Sequence, residues 1–356
     1  MSAAPIKSKK WIAMFFYLTF MVLLIISFIA YLIDPFFQYR VKDHTYFLTS
    51  QYVNAGLIKN YNYDALIVGS CMIGNFDMER FRQELNLHPL KAEGGGMGPS
   101  AIAAYLNYAA RIQKANHYFV NIDLSTYQAD GGGVINEYLM KDDLLARCKY
   151  FLGFETWFRY IPVDCALTLY KGLRGDFPSG KFEQRTSIDC NGSWNLDERF
   201  GEDIVIYNRA ANLYAVSAVE TEGLYDILIQ NIDLFISQID FHSGAFTFIF
   251  PPYSALYWCD AQDQGYCNTF LSAKAYFIQE LLERDCAIYD FQAADWTMDL
   301  NNYKDSTHYS PEINGLMTDC FSSGDYLVTQ ENYSEFQEKL IENTNSFRSE
   351  YSELFE

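Results

Sequence analysis

The stretch Ala65-Leu66-Ile67-Val68-Gly69-Ser70-Cys71-Met72 carries most of what the sequence says about architecture. An unbroken apolar run suits a strand buried on both faces, as in a parallel sheet, and the glycine behind it marks a turn. Four further runs repeat the pattern. The second is weak, around Leu90-Lys91-Ala92. The others are Tyr118-Phe119-Val120-Asn121-Ile122-Asp123, Phe246-Thr247-Phe248-Ile249-Phe250, ended by Pro251-Pro252, and Ala287-Ile288-Tyr289-Asp290-Phe291. Between them, apolar residues at helical spacing predict helices over Pro99–Ala115, Glu222–Ile239 and Ser272–Arg284. Strands alternating with helices predict an α/β fold with a central parallel sheet. Residues 128–220 break the rhythm with aromatic and turn residues and read as an insertion that caps the site. Residues 326–356 read as an acidic C-terminal tail helix on the surface.

Trp11–Ile33 is 23 residues long and carries no charge. About 20 apolar residues span a bilayer, so the run is long enough to cross one. Lys7, Lys9 and Lys10 precede it, and the positive-inside rule keeps them in the cytoplasm. No small-x-small cleavage site follows, which favours an uncleaved anchor over a signal peptide. The expected layout is a cytoplasmic tail over 1–10, a transmembrane anchor over 11–33 and a juxtamembrane connector over 34–62. An external domain then occupies 63–325. The chain is thus expected as a single-pass protein of the cell membrane.

The formal net charge is −19, from 26 basic and 45 acidic residues, which argues against nucleic acid as a partner. Half the residues are hydrophobic and 20% are charged, which excludes a disordered or collagen-like chain. Eight cysteines are present without a CxxC pair, so no metal is expected. Cys259 and Cys267 flank a polar loop as a candidate disulfide. Nothing in the sequence calls for a cofactor.

Open parallel sheets bind ligands beyond the C-terminal ends of their strands, so the residues after each run are the ones to read. Ser70 and Cys71 follow the first run, at a turn expected to open a helix whose N-terminus favours negative charge. Glu93-Gly94-Gly95-Gly96-Met97-Gly98 follows the second. A base is also needed, and of the five histidines only His308 lies after the last run. His44 lies near the connector, His88 and His242 lie before strands, and His117 opens one. Asp305, three residues before His308, is placed to orient the imidazole.

This order, a Gly-x-Ser-like turn, a glycine loop and a late Asp-x-x-His, resembles the SGNH/GDSL hydrolases over roughly residues 63–325. The likeness is to the membrane-anchored branch of bacterial surface-polysaccharide systems, which includes teichoic-acid D-alanylation and alginate O-acetylation proteins. Phe250-Pro251-Pro252-Tyr253-Ser254 resembles a segment common in that branch. The resemblance implies a three-layer α/β/α sandwich of flavodoxin-like type, with Asp305 as orienter and His308 as base. It also implies an oxyanion donor in the backbone near Gly95 or Gly96. The chain departs from the family at two places. Aligning Gly69-Ser70-Cys71-Met72 on Gly-Asp-Ser-Leu puts Cys71, not Ser, at the nucleophile. The family's oxyanion Asn falls on Ile122, with Asn121 one residue earlier and therefore on the other face of a strand.

Three alternatives stay open at this point. Cys71 acts, as a thiolate favoured by a nearby His and a helix N-terminus; or Ser70 acts, with the turn shifted by one residue; or the site is inactive. The resemblance implies an esterase or O-acyltransferase acting outside the cell on an acylated glycan or glycolipid. The competing expectation is a non-catalytic assembly or binding protein on the same fold, docking a membrane O-acyltransferase partner.

Overall fold

The computed structural model describes residues 5–41, 50–128, 135–163, 165–166, 199–211 and 222–355. The described chain is an α/β protein with 11 α-helices and one five-stranded parallel sheet. In chain order the elements are α1 (Pro5–Ile33), α2 (Ser50–Asn60), β1 (Ala65–Gly69), α3 (Met78–Leu85), β2 (Pro89–Glu93), α4 (Pro99–Ile112) and β3 (His117–Asn121). There follow α5 (Leu144–Leu152), α6 (Glu202–Ala210), α7 (Leu224–Gln238), β4 (Ala245–Phe250), α8 (Ala255–Asp263) and α9 (Cys267–Leu282). The chain closes with β5 (Ala287–Asp290), α10 (Pro311–Ser323) and α11 (Tyr333–Glu350).

The described fold divides into two compact units, Met1–Tyr61 with Asn136–Ile188, and Asn62–Ile135 with Asp189–Glu356. This departs from the expected layout. Of the segment read as a connector, 34–62, the described residues 34–41 and 50–61 belong to the first unit. The expected insertion, 128–220, is shared between the two units. Its residues 129–134, 164, 167–198 and 212–220, Cys190 among them, lie outside the described residues, as does His44.

In the first unit, α1 includes a stretch, Lys9–Ile33, that is long and apolar enough to cross a membrane, with mean hydropathy 2.6 in its most apolar window and none of that window buried. The C-terminal end of α1 is tied off locally. The Arg40 guanidinium donates to the Tyr31 and Leu32 carbonyls, placing a cation where the helix leaves acceptors without partners. The buried Asp34 carboxylate then accepts from the amides of Gln38, Tyr39 and Arg40 and from the Tyr150 hydroxyl. Phe36 packs against Tyr52, Tyr150 and Tyr160. Gly56 is required by this packing, because a Cβ there would lie 2.0 Å from the Phe36 carbonyl oxygen.

In the second unit the strands run in the order β2-β1-β3-β4-β5, the doubly wound order that reverses direction between β1 and β3. Crossover connections between the parallel strands place helices on both sheet faces. On one face α4, α7 and α9 pack side by side, and Phe250 of β4 meets Phe277 of α9. On the other, α3 and α10 pack together, and Phe119 of β3 meets Phe81 and Phe321. Neighbouring Tyr118 stacks instead on Phe246, so the period-2 alternation feeds both layers.

The helices differ from expectation at their ends, for local reasons. Gln113 and Gly223 adopt left-handed backbone and bound α4 and α7. The expected C-terminal helix is present as α11 and packs along one face. Leu340, Asn343, Thr344 and Phe347 form its buried stripe, against α8 and the turn after β5. Cys259 and Cys267 are unpaired thiols rather than a disulfide: the Cys259 thiol points at the Thr344 carbonyl, toward α11.

Candidate active site

Gly69 ends β1 and the chain turns at once. Ser70 caps a three-residue 3-10 turn over Cys71–Ile73, closed by the Gly74 amide on the Cys71 carbonyl. The next α-helix starts only at Met78, capped by Asp77. The expected helix N-terminus at the nucleophile is therefore absent, and its dipole does not act there. The Lys91 ammonium instead satisfies the carbonyls of Gly74 and Phe76 that the turn leaves over.

The Cys71 Sγ lies 3.2 Å from His308 Nε2. The Ser70 hydroxyl is buried, and its partner is the Met72 amide at 3.5 Å. Of the two candidates, then, Cys71 is the one brought to the histidine, and Ser70 serves the turn.

His308 Nδ1 faces Asp305, at 2.8 Å from Oδ2 and 3.0 Å from Oδ1. The amides of Thr307 and His308 also donate to Asp305 Oδ1, as does the Thr307 hydroxyl. This is a side-chain turn of the kind Asp favours, and it fixes the carboxylate before it meets the ring. Burial works against charge on His308, but hydrogen bonds to Asp305 and Cys71 outweigh it and raise the imidazole to about 10. Burial likewise pushes Asp305 up, yet its bonds to His308 and the two amides hold it below the usual carboxylate range. Asp305 is 3% exposed and His308 19%, so the orienting group is enclosed while the imidazole remains reachable.

The loop carrying this pair is held from three sides. Tyr303 and Tyr309 bridge its two arms, with the Lys304 amide on the His308 carbonyl. The Ser254 amide and hydroxyl both donate to the Ser306 carbonyl, and the Tyr303 hydroxyl donates to that of Pro252. The Tyr309 hydroxyl and the Asn314 amide group both reach the Met72 carbonyl, joining the histidine loop to the cysteine turn. Sequence reading noted Pro252, Tyr253 and Ser254 only as part of a familiar segment and missed Tyr303, Tyr309 and Asn314. Their place directly after β4 and beside His308 was the available signal.

Asn121 sits at the end of β3 against Gly69 and Ile73. It is fully buried, and among the described residues neither its oxygen nor its nitrogen has a hydrogen-bond partner. Gly95 and Gly96 are exposed on the loop after β2, Gly96 with φ +62°. That loop is anchored to the site strand by the Gly94 amide on the Gly69 carbonyl, and the Met97 amide returns to Gly94. At the end of β2, beside Gly69 in register, burial pushes the Glu93 carboxyl up while Lys91 opposes it. Asp123 accepts from Ser125 and from the buried Tyr253 hydroxyl. Replacing Tyr253 with Phe removes the second donor and is expected to cost about 2 kcal/mol, read as a lower urea midpoint.

His117 lies at the opposite end of β3, stacked on Phe119 and bonded to Thr247. Burial pushes its imidazole down. Among the described residues no group of three or more His, Cys, Asp or Glu side chains converges as a metal site. A cavity of about 730 Å³ between α10 and α11, lined by Trp296, Tyr326 and Phe336, contains none of Cys71, His308 or Asp305. Compared with known proteins, the chain matches no protein-family model and no curated protein.

Proposed function

We propose that the protein is a membrane-anchored esterase or O-acyltransferase of SGNH-like type, with Cys71 as nucleophile. Its substrate would be an acylated cell-surface glycan or glycolipid. The observation that carries this reading is the Cys71–His308–Asp305 constellation, formed by the turn after β1 and a loop fastened to Ser254 after β4. A histidine raised to about 10 is an imidazolium near neutrality and cannot take a further proton. The nucleophile is the sulfur of a Cys71–His308 pair that shares this proton across 3.2 Å, as in cysteine-based acyl transfer.

The steps follow from that pairing. The thiolate attacks the ester carbonyl carbon, and the carbonyl electron pair moves onto oxygen. The C–O bond of the tetrahedral species breaks as His308 Nε2 gives its proton to the departing alkoxide, leaving a thioester on Cys71. Water or a sugar hydroxyl then attacks the thioester and returns a proton to His308, and the thiolate leaves. The cell-membrane location, with the N-terminus in the cytoplasm, rests on the apolar α1 and the lysines before its apolar run.

Asn121 is buried beside Gly69 at the end of β3, its carboxamide has no hydrogen-bond partner among the described residues, and it is the side chain we assign to the oxyanion. Removing a single such donor typically costs about 100- to 1000-fold in turnover. Asn121→Ala is therefore expected to lose activity on that scale while stability holds or rises, since an unsatisfied buried amide is removed. Chemical unfolding measured beside turnover separates this from simple damage.

The reading itself is tested on the full chain with a fluorophosphonate and a thiol-directed probe, adducts being mapped by mass spectrometry. Labelling at Cys71 that disappears in His308→Ala supports it. No His308-dependent adduct at Cys71 or Ser70 returns the balance to a non-catalytic assembly role beside a membrane O-acyltransferase.

A further inference from the structure

α5 presents an apolar stripe outward. At 100° per residue, Leu144, Leu145, Cys148 and Leu152 fall within about 100° of arc. Ala146 and Tyr150, on the opposite side, are the buried residues of this helix. Leu144 and Leu145 are 79% and 80% exposed. The stripe continues into the π-helical turn that follows, where Phe154 and Phe158 stack on each other and are 70% and 72% exposed. Single exposed apolar residues need no explanation, but a continuous exposed face does.

The position of this face in its unit indicates what covers it. Tyr150 donates its hydroxyl to Asp34, the first residue after α1, and Tyr39, five residues further on, packs on Tyr150 and Phe151. α5 is thus fastened where the apolar helix ends. Arg147 lies on one rim of the stripe and Lys149 on the other; Arg159, beside Phe158, is ion-paired with Glu155, and Asp142 and Asp143 precede the stripe. An apolar strip with a basic side chain on each rim of the helix suits a helix lying in a bilayer interface, apolar side chains inward and basic groups at the headgroups.

We infer that the Leu144–Phe158 face is a second membrane contact, lying in the bilayer interface at the end of α1 without crossing it. The inference rests on α1 spanning a bilayer. It is tested on the full chain in liposomes of phosphatidylcholine and phosphatidylglycerol carrying a diazirine-bearing phosphatidylglycerol, with photoadducts mapped by mass spectrometry. Adducts are expected both in residues 9–33 and between Leu144 and Phe158. In the Leu144→Glu, Phe158→Glu double variant the second set is expected to fall several-fold while the first stays, with thiol labelling of Cys71 unchanged as a check on folding. Adducts confined to 9–33 overturn the inference and leave the face to a protein partner. Adducts in neither region overturn both this inference and the anchor reading.

Discussion

Replacing Cys71 with alanine is expected to lower ester turnover by about four to six orders of magnitude, and replacing His308 to do nearly the same. The two act as a unit across 3.2 Å, so their losses should not add in the double variant. Ser70→Ala should leave most activity, because that hydroxyl bonds the Met72 amide inside the turn. The pH dependence separates the roles further. His308 holds a proton beside the Cys71 Sγ up to about pH 10, so turnover that needs this proton for the leaving group should fall as the medium passes that value. In His308→Ala the rate of Cys71 alkylation by iodoacetamide at pH 7 should fall at least about tenfold, because the imidazole 3.2 Å from the sulfur is gone. Equal rates in the two proteins at pH 7 would remove the Cys71–His308 pair from the mechanism.

The second large effect is on stability. Lys274 of α9 is buried with its ammonium 2.5 Å from Asp290 at the end of β5 and 2.8 Å from Gln292. Burial pushes this lysine down, and Asp290 only partly restores it. Lys274→Ala leaves a carboxylate enclosed without its cation and should cost about 3–5 kcal/mol in chemical unfolding. Lys274→Met combined with Asp290→Asn should recover most of the loss, because neither charge then needs solvation and the new carboxamide oxygen still accepts from the Gln292 amide. If the double variant is no better than the single one, packing rather than charge accounts for the cost.

Much of the sheet was legible because its strands are buried on both faces and so read as unbroken apolar runs. The weak run around Lys91 is the edge strand β2, where a cation can leave the strand to bond the Gly74 and Phe76 carbonyls. Asp305 and His308 were legible by position alone, falling after the last strand. The choice between Ser70 and Cys71 was not, since adjacent residues in a turn differ only in where their side chains point. The role of Tyr309 was hidden for another reason: its hydroxyl bonds a backbone carbonyl, that of Met72, and any residue type supplies one. The outward stripe on α5 was missed because apolar residues at helical spacing ordinarily face a core.

Gly69 carries a consequence for how this chain can vary. A Cβ at position 69 would lie 2.5 Å from the Asn121 Cβ and 3.2 Å from the Ile73 side chain. The Asn121 Cβ is fixed to strand backbone and cannot swing aside. Positions 69 and 121 are therefore not independent: a larger residue at 69 must displace the carboxamide at 121. Selection for alternative chemistry at one of them has to pass through the other, and a library randomising both together should return functional pairs that neither single library contains.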